Sequence, residues 1–351
     1  MCDSHGDAHV PVVEAVPAER EWRGEVLPLE PVDEVSVLTV CDNTVDMLLL
    51  DQGPAKRIGL SESTPYVAAA SLQEGKVPDS PVAEHGFSVL VEVRKGDAVH
   101  RVLFDTGVTP TSCVENLRRF DRDPGELEVI VCSHGHFDHT TGLSGLIDRL
   151  GRTNLPVVIH PEFWTQRRIA IPGMEPREIP TTSRRALEDA GFDIVENRQP
   201  SFLFERSVLI TGEVDRTTPF ERGFAIHQAH RNGDWEPDPL ILDDQAFIAN
   251  VAGKGLVIIT GCGHAGIVNI CRYAQRLTGV ERIHAVIGGF HLSGPLFEPI
   301  IGDTVEALAG LAPDVLVPAH CTGWKAQHAL AARLPDAFIP NSLGTTFALT
   351  A

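Results

Sequence analysis

One stretch constrains this chain more than any other: Ser133-His134-Gly135-His136-Phe137-Asp138-His139-Thr140-Thr141-Gly142-Leu143. Three histidines and a carboxylate fall between His134 and His139. The apolar run Leu127 to Cys132 leads in. Leu143, Leu146, Ile147 and Leu150 follow at helical spacing. The order predicts strand, loop and helix, with the polar groups at the strand's carboxyl end, where open sheets flanked by helices bind ligands. Imidazole suits zinc, iron and copper, whereas carboxylate suits harder cations. The mixture predicts two metals close together, or one metal beside a catalytic carboxylate. Alternate residues of an extended segment point the same way, so His134 and His136 can grip one ion. Asp138 and His139 lie where the chain turns and can serve its neighbour.

The 351-residue chain as a whole is acidic, with 29 basic and 48 acidic side chains and a net charge of −19. Such a surface repels phosphate backbones and anionic lipid, which excludes nucleic-acid and membrane partners. It leaves a small-molecule substrate, phosphorylated or not, because a bound metal dominates its local field. Assembly into a homo-oligomer is left open. The seven cysteines are odd in number and form no Cys-x-x-Cys pair, which points to a reducing, cytoplasmic setting rather than a disulfide framework. The amino terminus is polar and acidic, unlike a signal peptide.

Residues 1–34, rich in Pro, Glu and Val, read as an extension that is loosely ordered or wraps the surface, with His5 and His9 as incidental groups. A domain over 35–351 follows. Val35 to Val40 is a strand by its β-branched content, and Asp42 just past it lines a rim or makes a turn. Gly86 to Arg94 and Val99 to Asp105 form a strand pair that delivers Asp105 to the same rim, where a carboxylate can orient a ligand histidine. Residues 161–239 are irregular and read as an elaboration over the site. Their arginines, including the pairs Arg167-Arg168 and Arg184-Arg185, are candidates for an anionic substrate group. Three later strands end in small residues beside a histidine: Thr260-Gly261-Cys262-Gly263-His264, Gly288-Gly289-Phe290-His291 and Pro318-Ala319-His320-Cys321. Asp243-Asp244 precede another strand. Ala337 to Pro340 and Thr345 to Leu349 read as closing strands. His160, His284 and His328 read as ordinary.

His134-Gly135-His136-Phe137-Asp138-His139 resembles the His-x-His-x-Asp-His signature of the metallo-β-lactamase superfamily. Leu103-Phe104-Asp105-Thr106-Gly107 is similar to that superfamily's strand ending in Asp-Thr-Gly. The resemblance implies an α/β fold, an αββα sandwich with a metal site at one edge of the two sheets. It also implies further ligands. Cys262 matches the Asp or Cys at the end of a late strand, and His320 matches the histidine of a Pro-x-His segment. The remaining histidine is missing from its usual place, where Pro237 to Asp244 stand. His227 and His230 match poorly, and His264 or His291 completes the shell. The motifs around Asp244, Cys262, His291 and His320 together resemble the dihydropteroate-synthase-related branch, over roughly residues 35–350. The diiron members carry a Glu where His136 stands, so His136 argues against oxygen chemistry.

The expected ligands are therefore His134, His136, Asp138, His139, Cys262, His264 and His320. Asp42, Asp105, Asp244 and Cys321 are expected beside them or against substrate. Zinc, one ion or two, is the first expectation; manganese or iron are alternatives. The expected activity is hydrolysis of an ester, lactone or phosphoester by a metal-activated water, with Asp138 orienting the water or a second metal and His291 protonating the leaving group. The branch resemblance implies a second reading, a transferase that condenses a pterin-type diphosphate with an aminobenzene ribofuranosyl phosphate.

Overall fold

Runs such as Leu256-Val257-Ile258-Ile259 are apolar on both sides, and a strand of that kind needs both faces covered. The computed structural model, which describes residues 12–15, 25–59 and 64–351, covers them in four layers. One eight-stranded sheet runs in the order Val13–Ala15, Ser201–Leu203, Val208–Ile210, Ala246–Val251, Gly255–Thr260, Ile283–Gly289, Val315–Ala319, with Pro31–Val32 paired to Ala246–Val251. The other runs Asp193–Glu196, Pro156–Ile159, Val129–Val131, Ala98–Phe104, Ser88–Lys95, Glu34–Cys41, Thr346–Thr350, Ala55–Lys56. Val91, Val102 and Val131 of the second sheet meet Phe247, Val257, Ile259 and Ile287 of the first in a shared core.

Alternation then sends the opposite side chains outward. Ile248, Ile258 and Val286 pack under the helices Ile267–Thr278, Ile301–Leu311 and Trp324–Arg333. Leu103, Ile130 and Val157 pack under Ser112–Arg119, Leu143–Leu150 and Arg184–Ala190. The fold is thus an αββα sandwich. Val129–Val131 is parallel to Ala98–Phe104, and Gly255–Thr260, Ile283–Gly289 and Val315–Ala319 are mutually parallel. Each sheet therefore gathers several strand ends at one rim.

Three regions differ from the sequence expectation. The segment before Val35 is partly built into the sheets: Val13–Ala15 and Pro31–Val32 are paired strands, and Leu29 and Val32 are buried. His5 and His9 lie outside the described residues. Residues 161–239 divide. Asp193–Glu196, Ser201–Leu203 and Val208–Ile210 extend the main sheets, and Arg177–Ile179, Arg167–Ile169, His227–Arg231 and Asp234–Pro237 form a separate antiparallel sheet. Ala337 to Pro340 makes only an isolated bridge from Phe338 to Leu316, since Pro340 has no N–H to continue a ladder. Among the described residues, no helix is long and apolar enough to cross a membrane.

Candidate metal centre

The strand Val129–Val131 is buried throughout, and the chain stays extended through His136 (φ −75°, ψ 144°) before a helical turn over Phe137–Thr140. The first two histidines thus leave an extended segment, while Asp138 and His139 sit on the turn. Asp105, at φ +59° just past its strand, holds the loop from below. Its carboxylate accepts from Ser133 N (2.6 Å), Ser133 Oγ (2.7 Å) and His139 Nδ1 (2.7 Å). The Ser133 hydroxyl, having donated to Asp105, accepts from His134 Nδ1 at 2.9 Å. These bonds put a proton on Nδ1 of both His134 and His139 and turn Nε2 toward the site, the arrangement by which a ligand histidine is oriented.

The facing half comes from the other sheet. Gly261 is where the halves touch: a Cβ there would lie 2.1 Å from Ser133 Oγ and 2.5 Å from Asp105 Oδ2. His291 and His320 both have positive φ, +42° and +46°, a conformation that costs a non-glycine residue energy and clusters at functional sites. Backbone contacts hold His320 and the segment just after His264. Asp42 Oδ1 accepts from His320 N (2.8 Å) while its Oδ2 accepts from Asn341 Nδ2 (2.7 Å), and Asp244 Oδ2 accepts from Ala265 N (2.8 Å). Cys321 Sγ lies 3.3 Å from Cys262 Sγ.

Three groups of donor atoms result, each within 4.8 Å: Asp138, His139, Cys262 and His320; His134, Cys262 and His264; Cys262, His291 and Cys321. Cys262 belongs to all three. Several buried ring nitrogens in this rim have no hydrogen-bond partner, namely His134 Nε2, His291 Nδ1 and both nitrogens of His264 and His320. His320 Nε2 is 3.3 Å from Asp138 Oδ2, close but not aligned as a hydrogen bond. Unpartnered buried polar atoms are costly, and so many aimed into one rim fit a divalent metal held by imidazole, thiolate and carboxylate. His264 thus stands where the missing histidine was sought, while His291 stands with the two thiols.

Electrostatics follow the same division. Burial disfavours charge on His139, but Asp105 and Asp138 outweigh it and push its pKa up to about 9. Burial likewise opposes ionisation of Asp138, yet His139 and His320 hold it far below the usual carboxylate range. A cation taking this place competes with that proton. Burial pushes His134 and His264 well down and raises Asp244 to about 7, against the Ala265 N–H and Arg216. Burial and the Cys321 contact push Cys262 up. Burial also opposes ionisation of Cys321, where the Cys262 contact, His320 and His291 prevail and lower it.

Not every expected residue falls in a donor group. His136 does not: its Nε2 lies 3.0 Å from Nε2 of His227, a buried residue of the four-stranded sheet that matched the expected histidine poorly. His85 is a group that sequence reasoning passed over; its ring packs 4.9 Å from that of His320. Arg167 is not open to an anion. It is buried and bound to Asp243 through Nη1 (3.1 Å) and Nη2 (2.5 Å), and Asp243 in turn accepts from Gly135 N (2.7 Å). His160 pairs with Glu213, and His284 with Asp314.

Two sheets face to face, helices outside and a His/Asp/Cys rim at the strand ends define a metallo-β-lactamase fold with a candidate metal centre. The family model described as the metallo-β-lactamase superfamily matches residues 82–275, and the chain belongs to that superfamily. It is 31% identical over 254 residues to the 7,8-dihydropterin-6-methyl-4-(β-D-ribofuranosyl)-aminobenzene-5′-phosphate synthase of Methanocaldococcus jannaschii, covering 70% of this chain and 83% of the relative. An uncharacterised protein of the same organism is 32% identical over 247 residues, covering 70% of this chain and 86% of the relative. Among solved structures, a metal-dependent hydrolase of the β-lactamase superfamily superposes with a TM-score of 0.65 at 24% identity, over 90% of this chain and all of the other.

Proposed function

We propose that the chain is a metal-dependent hydrolase that opens an ester, lactone or phosphoester with an activated water. The supporting observation is the convergence of imidazole, carboxylate and thiol donors on Cys262. A bound divalent metal, zinc by its donor set, lowers the pKa of water from about 15.7 to about 7 and offsets charge on a departing oxygen. The chain's own groups do the rest. Asp138, ionised and 14% exposed at the rim, accepts a hydrogen bond from the water and orients it. His291, whose Nδ1 is unpartnered, gives a proton to the leaving oxygen. Beside His264 and His291 opens a cleft of about 620 Å³, walled by Phe220, Phe290, Leu292 and Phe297, which holds the rest of the substrate. The test is turnover of a panel of esters, lactones and phosphodiesters by protein loaded in turn with zinc, manganese and iron(II). Hydrolysis lost in Asp138→Asn and cut in His291→Ala is expected; stoichiometric metal without turnover of any substrate overturns the reading.

A second reading is a transferase joining a pterin-type diphosphate to an aminobenzene ribofuranosyl phosphate. The synthase relative, matched over 83% of its length, favours it, and the aromatic walls of the cleft suit a flat ring. Supplying such a diphosphate with and without the aminobenzene partner separates the readings: a condensed product favours transfer, and a pterin alcohol favours hydrolysis.

A further inference from the structure

Six of the seven cysteines lie within the described residues, all as free thiols, and two of them meet at the metal centre. Cys262 follows the strand Gly255–Thr260, and Cys321 follows Val315–Ala319. Their sulfurs lie 3.3 Å apart, and the Cys321 thiol also faces the main-chain oxygen of Cys262 at 3.5 Å. Gly289 ends the strand that runs between these two and leaves room for the contact. A Cβ there would stand 2.8 Å from Cys321 Sγ and 3.2 Å from the Cys262 Cα.

The two sulfurs are placed for different tasks. Cys262 is shared by all three donor groups, and its sulfur lies 3.1 Å from His139 Nε2. Cys321 belongs to one group, beside His291, and is the more accessible, 8% exposed against 2% for Cys262. His291 lines the cleft of about 620 Å³, which makes that cleft the approach to Cys321. The other described thiols sit elsewhere. Cys132 and Cys271 are packed among apolar side chains. Cys41 and Cys113 touch one another, but in the core beneath Ser112–Arg119 and in none of the donor groups. An accessible thiol beside a second thiol is the arrangement in which a sulfenic acid is resolved to a disulfide.

We infer that Cys262 and Cys321 form a reversible redox switch: a peroxide joins them in a disulfide, takes Cys262 out of all three donor groups and so releases the metal. The step balances with hydrogen peroxide as the only oxidant. The Cys321 sulfur attacks one peroxide oxygen, the O–O bond breaks, and a sulfenic acid and one water result. The Cys262 sulfur then displaces the sulfenic oxygen, which leaves as a second water. The Cys321 proton departs in the first water and the Cys262 proton in the second. Each sulfur loses one electron, and the peroxide oxygens take up both. The sulfurs close from 3.3 Å to about 2.05 Å. Only the thiolate is a metal ligand, so the disulfide leaves the remaining donors in separate sets, Asp138, His139 and His320 in one and His134 and His264 in another.

The switch rests on the metal-dependent reading above, but its readouts are mass and free metal rather than turnover. The full-length zinc-loaded chain is treated with hydrogen peroxide while a weak chromophoric chelator reports released zinc. Peptide mapping should find Cys262 joined to Cys321, with the intact mass lower by one hydrogen per thiol. Zinc should be freed in step with that bond and taken up again after dithiothreitol. No such bond, a bond between Cys41 and Cys113 alone, or a bond that leaves zinc in place overturns the inference. Cys321→Ser cannot form the bond, so the part of the zinc loss that dithiothreitol recovers should disappear in it; persistence of that part overturns the inference too. If Cys321→Ser does not fold or does not bind zinc, the wild-type bond and zinc count still decide. A joined pair and freed zinc in a chain that hydrolyses nothing would sink the hydrolase reading and leave the switch standing. Hydrolysis by a peroxide-treated chain that keeps both thiols free would do the reverse.

Discussion

The loop from His134 to His139 and the strand ends facing it hold their imidazoles by different means. In the loop, each ring has a hydrogen-bonding partner on its far side: Ser133 for His134, His227 for His136, Asp105 for His139. In the facing half, His264 and His320 have no such partner at either nitrogen. They are placed through the backbone, by Asp42 on His320 N, by Asp244 on Ala265 N and by positive φ at His320. A ring with a fixed far side is oriented before metal arrives. A ring held only at its backbone depends on the metal for its final pose.

The largest expected effect comes from breaking the first arrangement at its base. Asp105→Ala leaves the Ser133 N–H, its hydroxyl and His139 Nδ1 without their acceptor in a buried place. Removing one partner of such a buried charged network costs about 3–5 kcal/mol, and chemical denaturation should show that loss together with lost metal. Stripping the metal tests the second arrangement. Metal at about 1,000 times its dissociation constant stabilises by about 4 kcal/mol, so chelation should lower the melting temperature. Hydrogen exchange should rise after chelation around Cys262, His264 and His320 more than around Ser133 to His139. Uniform loosening would show that the contrast between the halves is not real.

His264→Ala should remove one ion per chain and weaken the His134 group by more than the 10–100-fold that an outer partner is worth. It should change apo-protein stability little, because the ring lost had no partner to abandon. The smallest effect lies in the sheet behind the loop. Burial opposes the Glu162 charge, but Arg231 and Arg198 prevail and lower its pKa to about 2, from 4.5. The native carboxyl thus releases its proton more readily than the unfolded one. Its contribution is full above about pH 4.5 and disappears as pH falls toward about 2. Partly exposed, it is worth about 1 kcal/mol after screening. The wild type should therefore lose more stability than Glu162→Gln across that window, as thermal melts would show.

How much of this was readable in the sequence follows from how far apart the partners lie. The sandwich was legible because alternating and doubly apolar runs bounded by Gly and Asp are local, as at Gly255 to Thr260 and Ser88 to Lys95. The metal loop was legible for the same reason. Cys262, His264, His291 and His320 could be picked out because each follows a buried strand, but their grouping could not, since it depends on how parallel strands come into register. His227 was set aside as a poor match, because its partner His136 lies 91 residues away and nothing local points to it. The sequence offered only a weak signal, His227 and Ala229 two residues apart and so on one face of a short strand whose other residues are polar. Arg167 was misread by the same ambiguity: in Arg167-Arg168 one side chain points into the molecule and the other stacks on Trp235, and a pair of like residues does not say which.

Asp105, His291 and His320 share the left-handed backbone region, at a cost of about 1–3 kcal/mol each. Glycine adopts that conformation freely, so a lineage selected only for heat resistance would drift toward glycine at His291 and His320. Persistence of the bulkier residues at these two places would then record selection for chemistry, and their loss in a descendant would mark a protein that keeps the sandwich after giving up its reaction.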